Sequence, residues 1–242
     1  MRLKLPAFLR VIGRSMVDWW DSWLDLVGAV LVWLVAQVTI VLGPPATFGL
    51  YYTAHALING ESLGARGVIE GARQYFVKSW LWVLLNLFVL ALVYSNVRFY
   101  GQFENAWAGY VQIFFVMLGF LWVMVQFYAL AFLMEMERKR LLVAVRNGFF
   151  ASMASPVFSV LIALFAALAL GASIFLVLPL FFGVPALAPI LAVRAMYDRL
   201  EAYGIREREK TPKEIEREQA SRIEVPRFKE PTDGEEQVKK ES

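Results

Sequence analysis

The sequence has no cysteine and one histidine, His55. The first absence removes disulfides, iron–sulfur clusters, thiolate zinc sites and cysteine nucleophiles together. The second argues against a histidine-built metal site or a Ser-His-Asp triad. Charge is scarce as well. Only 19% of the 242 residues are Asp, Glu, Lys or Arg, against about 25% in soluble domains. The alternating segments of about ten residues that mark a membrane β-barrel are missing. So are a phosphate-binding glycine loop, a dinucleotide fingerprint and a serine-nucleophile elbow. Neither an enzyme nor a cofactor is expected.

What fills the chain is apolar. Hydrophobic residues make up 59% of it, in blocks of roughly 18–25 residues, the length that crosses about 30 Å of hydrocarbon. Backbone groups in lipid must bond within their own segment, so such blocks become helices. The expected fold is all-α: a polytopic transmembrane helical bundle of about five to six membrane segments plus amphipathic interfacial helices. The segments fall at about 24–42, 46–59, 79–97, 107–134, 157–178 and 180–197. Gly43-Pro44-Pro45 ends the first, because proline cannot continue a regular helix. The short second segment is read as a tight return or a re-entrant half-helix. Pro179, Pro185 and Pro189 imply a kink or hairpin-like return in the sixth.

Three regions follow. Residues 1–23 form a basic, amphipathic entry segment with Trp19, Trp20 and Trp23 at headgroup level. It serves as an interfacial anchor, or as a specific lipid or partner site. No cleavable signal peptide is apparent, which predicts that the first spanning helix stays as an anchor. Residues 24–203 hold the helices. Residues 204–242 carry 10 Lys/Arg and 11 Asp/Glu with one aromatic, Phe228, a composition that predicts a charged, largely disordered tail. The polar intervals 60–78 and 138–150 place apolar residues at helical spacing and are read as interfacial helices.

Cations decide the orientation. With the amino terminus inside, the inner segments hold 13 Lys/Arg and the outer loops only Arg98, over residues 1–203. Both termini are thus predicted cytoplasmic. Arg138, Lys139, Arg140 and Arg146 are the candidate contacts for anionic lipid headgroups or a cytoplasmic partner. The cations are too few and too closely tied to helix ends for nucleic acid.

The run Gly43-Pro44-Pro45-Ala46-Thr47-Phe48-Gly49-Leu50-Tyr51-Tyr52 follows an apolar helix with Trp33. An aromatic-basic stretch comes later, Gly71-Ala72-Arg73-Gln74-Tyr75-Phe76-Val77-Lys78-Ser79. Together with the later order of a long span, a basic interval and two closing spans, these resemble the YesL-like family of bacterial integral membrane proteins, a domain of unknown function. The resemblance covers about residues 5–205 and implies a bacterial inner-membrane location and a role beside carbohydrate uptake. It brings no catalytic or binding residue.

Polar residues inside apolar spans are where function is sought. Gln37, Asn86, Gln112 and Gln126 qualify. Gln112 and Gln126 fall within about 40° on one helical face, about 21 Å apart. They form either a polar path for a solute or interhelical bonds that fix packing. His55, close to Tyr51 and Tyr52, is read as a hydrogen-bonded histidine, with proton sensing as the alternative. Ala163, Ala167 and Gly171 repeat every four residues, which fits internal helix packing or homo-oligomerisation. Gly67 and Gly71 share that spacing but lie in a polar interval and are set aside. Arg194 and Asp198 are read as a local i,i+4 pair. Glu135 and Glu137 are assigned to a hydrated loop. Two functions remain: an accessory or scaffold subunit beside a membrane transport complex, or a small-solute transporter.

Overall fold

The computed structural model describes residues 6–206, so Arg2, Lys4 and nearly all of the predicted tail lie outside the described residues. The chain divides into a unit of Met1–Tyr203 and a second of Gly204–Ser242. The described residues are helical and contain no strand. The elements are α1 (Ala7–Asp21), α2 (Trp23–Val38), α3 (Gly43–Ile58), α4 (Gly64–Gln74), α5 (Phe76–Tyr100), α6 (Ala106–Glu135), α7 (Leu141–Ala154), α8 (Pro156–Leu176), α9 (Leu178–Phe181), a 3-10 turn (Val184–Ala186) and α10 (Leu187–Ala202).

Among the described residues, three helices are long and apolar enough to cross a membrane: α5, α6 and α8. The pair α1–α2 adds a fourth if it counts as one broken span, since the two meet at 87°. This is fewer than the sequence predicted. The reason is length. Helices α2, α3 and α10 have 16 residues each, which gives ~24 Å at 1.5 Å per residue, short of ~30 Å of hydrocarbon.

Gly43-Pro44-Pro45 does more than end a helix. It opens α3, where prolines in the first turn lose nothing because those amides have no intrahelical partner. The turn between α2 and α3 lies against the start of α5, with the Val41 carbonyl accepting from Trp80 Nε1 at 3.2 Å. The interval 60–78 forms α4, whose glycine face is buried against α3. A Cβ on Gly71 would stand 2.7 Å from Gly49 Cα, and one on Gly49 would stand 2.2 Å from the Val68 carbonyl oxygen. The contact set aside from the sequence is therefore a backbone-to-backbone crossing. The chosen repeat behaves oppositely: Ala167 and Gly171 are exposed, and a Cβ on Gly171 would meet nothing within 4 Å.

The core centres on α10 and the second half of α6. Leu130, Leu133, Leu191, Val193 and Met196 are buried there with Phe48 of α3. By contrast, α5 buries only Ser79. The first half of α6 leans on α5 and otherwise exposes apolar side chains such as Ile113, Phe114 and Phe120.

Candidate functional site

Gln37, Asn86, Gln112 and Gln126 each bond to a neighbouring helix. Gln37 Nε2 donates to Thr47 Oγ1 at 3.2 Å, joining α2 to α3. Trp33 Nε1 donates to the same hydroxyl at 3.1 Å. Between α5 and α6, Trp122 Nε1 donates to Asn86 Oδ1 at 3.0 Å, and Gln112 Nε2 donates to the Val97 carbonyl at 3.3 Å. Trp82 Nε1 donates to Gln126 Oε1 at 2.7 Å. In hydrocarbon each such bond contributes about 0.6–2 kcal/mol to helix association. The structure thus places these residues at helix–helix seams, each with an indole, hydroxyl or backbone partner.

His55 is brought to residues that sequence reasoning did not connect with it. Its Nε2 lies 2.9 Å from Glu135 Oε2 and 3.2 Å from the Tyr197 hydroxyl. The Tyr197 hydroxyl donates to the same Glu135 oxygen at 2.7 Å. Asn59 Nδ2 donates to the Tyr197 oxygen at 3.1 Å and to the His55 carbonyl at 2.9 Å. The pattern is self-consistent with the proton on Nε2: imidazole and phenol both donate to one carboxylate, and the phenol oxygen accepts from the amide. The cluster joins α3, α6 and α10. Glu135 is the last residue of α6 and is partnered, which corrects its assignment to a hydrated loop. With its side chain 34% exposed, it remains at the surface while Tyr197 is buried.

Charged residues of α10 bond to α1. Arg194 donates from Nε and a terminal nitrogen to both oxygens of Asp18, at 2.6 and 2.9 Å. Asp198, buried, accepts from Arg10 at 2.5 Å and also from Arg199. The Arg199 guanidinium lies 3.9 Å over the Phe158 ring and donates to Ser155 Oγ. The Arg194–Asp18 and Arg10–Asp198 pairs reach across the chain, where the sequence pointed to a pair within one helix turn.

Arg138, Arg140 and Arg146 are exposed. Lys139 differs from them. It donates to the Met134 carbonyl at the end of α6. Burial holds its ammonium below the ordinary lysine range; Glu135 opposes that shift and Lys78 adds to it. The two basic intervals therefore feel one another. Among the described residues, no group of three or more His, Cys, Asp or Glu is arranged to hold a metal ion. Trp19 Nε1 donates to the Gly183 carbonyl at 3.0 Å, which pins the turn before α10 to the bend between α1 and α2. Searches of protein-family models, curated proteins and solved structures return no match for this chain.

Proposed function

We propose that this protein is a non-enzymatic accessory or scaffold subunit of a membrane complex, embedded as a multi-pass protein in a bacterial inner membrane with both termini cytoplasmic. The observation that carries this reading is the bonding of Gln37, Asn86, Gln112 and Gln126. Each side chain bonds through one of its polar atoms to the adjoining helix, which supports a packing role over a continuous solute track.

Helices α5, α6, α8 and α10 are the crossings in this reading, with α10 completing its span through the turn before it. The α2–α3 pair enters and leaves on one side, in keeping with its short helices and with the Val41–Trp80 bond. Such a re-entrant pair preserves the sidedness of every later loop. Arg98 sits at the tip joining α5 to α6, and the remaining 13 cations of residues 1–203 lie in the segments assigned to the cytoplasm. The exposed Arg138, Arg140 and Arg146 face anionic headgroups or a partner there, and a carbohydrate-uptake complex is the partner proposed.

The test is cross-linking and mass spectrometry on the full chain purified from its native membrane. Replacing Arg138, Lys139 and Arg140 together by glutamine is expected to reduce capture of a stoichiometric partner severalfold. Gln112→Leu with Gln126→Leu is expected to leave capture intact. Solute uptake into liposomes that disappears in the glutamine double variant, with folding unchanged, would replace this reading by transport.

A further inference from the structure

A cavity of about 570 Å³ lies between the α2–α3 pair, α5, α6, α8 and the turn before α10. Its size and its largely apolar lining fall within the range of small-molecule sites. Aromatic rings flank it: Trp33, Tyr51, Trp82, Phe120 and Phe127. Small residues of α8, Ala163 and Ala167 among them, leave the space open. The repeat that resembles a helix-packing face thus lines a void. At the rim, Phe120, Val123 and Leu164 are more than half exposed. All three belong to helices of membrane-spanning length, so the mouth opens sideways towards hydrocarbon.

One donor on this lining is unsatisfied. Gln126 is 92% buried. Its Oε1 is held by the Trp82 indole, which fixes the amide's orientation because an indole only donates. Its Nε2 is buried with no partner. The Tyr51 hydroxyl, also on the lining, reaches the Phe127 carbonyl at only 3.5 Å, too long for a strong bond. An unmade buried donor is costly, and hydrocarbon supplies no water to replace the missing acceptor.

We propose that this cavity binds a neutral long-chain lipid bearing a carbonyl oxygen, which enters between α6 and α8 and accepts from Gln126. The carbonyl supplies the acceptor that Gln126 Nε2 lacks. Neutrality follows from depth. Gln126 lies nine residues before the end of α6, ~14 Å along the axis, and a charged headgroup drawn that far into hydrocarbon is strongly disfavoured. A second helix does not fit, because 570 Å³ is less than about two turns of a helix ~10 Å across. Two sources share this chemistry: a quinone with an isoprenoid tail, whose flat ring suits the aromatic walls, and a diacylglycerol.

The experiment uses the full chain in phosphatidylcholine nanodiscs loaded with decylubiquinone or with dioleoylglycerol. Native mass spectrometry then reads the lipid that remains bound. Saturable retention of one probe per chain is expected, weakened about three- to tenfold by Gln126→Leu and abolished by Ala163→Phe, which fills the cavity from α8. Variants are compared only where thermal unfolding matches the wild type. Retention of decylubiquinone alone assigns the quinone, and retention of dioleoylglycerol alone assigns the acylglycerol. A wild-type chain that retains neither probe, or retains only phosphatidylcholine, overturns the proposal. So does retention unaffected by both substitutions.

Discussion

At the scale of single residues, the His55 cluster shows what a sequence hides. The lone histidine is conspicuous, and so is its place near two tyrosines. Its carboxylate and phenol partners are 80 and 142 residues away, and no spacing rule reaches that far. Glu135 stands next to a basic run and reads as hydrated; it becomes a partner because α6 extends through it. The buried hydroxyl of Tyr197 both donates to Glu135 and accepts from Asn59. Tyr197→Phe removes both bonds and is expected to cost about 0.5–1.5 kcal/mol, seen as a lower midpoint of thermal unfolding in detergent. An unchanged midpoint would show that the cluster contributes nothing to holding α3, α6 and α10 together. The same logic applies more strongly to Asp198, which is 7% exposed and faces both Arg10 and Arg199. Asp198→Asn leaves a partly buried guanidinium without its counter-charge. Breaking one side of a buried pair costs about 3–5 kcal/mol, so this variant should lower the midpoint further than Tyr197→Phe.

Elements were legible where length and composition agree. The sequence ranges 79–97, 107–134 and 157–178 fall on α5, α6 and α8 within a few residues. The ranges 24–42, 46–59 and 180–197 were harder, because an apolar run continues through a turn that breaks the helix. At 40–42 the chain turns while its side chains remain apolar, and Val177 and Gly183 take positive φ angles of 59° and 82° after α8. Small-residue spacing was legible but not its direction. Gly67 and Gly71 share a helix with Arg66, Glu70 and Arg73, yet the charged residues take one face and the glycines the other. A reading by face rather than by average polarity finds the crossing. Gly49→Ala places a methyl carbon 2.2 Å from the Val68 carbonyl oxygen, so α3 and α4 must separate. Overpacking of this kind costs about 1–3 kcal/mol or more. Gly171→Ala, with nothing within 4 Å, is expected to be neutral within about 0.5 kcal/mol. Equal unfolding midpoints for the two variants would contradict the crossing.

At the scale of the whole molecule, α5 and the first half of α6 stand apart from the core. Their first contacts are internal: the Tyr100 ring stacks on Phe115 at 5.9 Å, and Trp122 and Gln112 bond back to α5. Their outer surface is apolar on both helices, with Leu87, Phe88, Ile113 and Phe114 more than half exposed. Lipid is the solvent that suits such a surface. The proposed sidedness then has a direct reading, because the chain contains no cysteine of its own. Introduced singly, Arg98→Cys marks the tip of this hairpin and Arg140→Cys marks the basic interval after α6. In intact cells, a membrane-impermeant maleimide is expected to label Arg98→Cys and to reach Arg140→Cys only after the inner membrane is opened. Labelling in the reverse order would invert the orientation and place the basic segments outside. Labelling of both in intact cells would mean that α6 does not separate the two faces, and the multi-pass reading would fall with it.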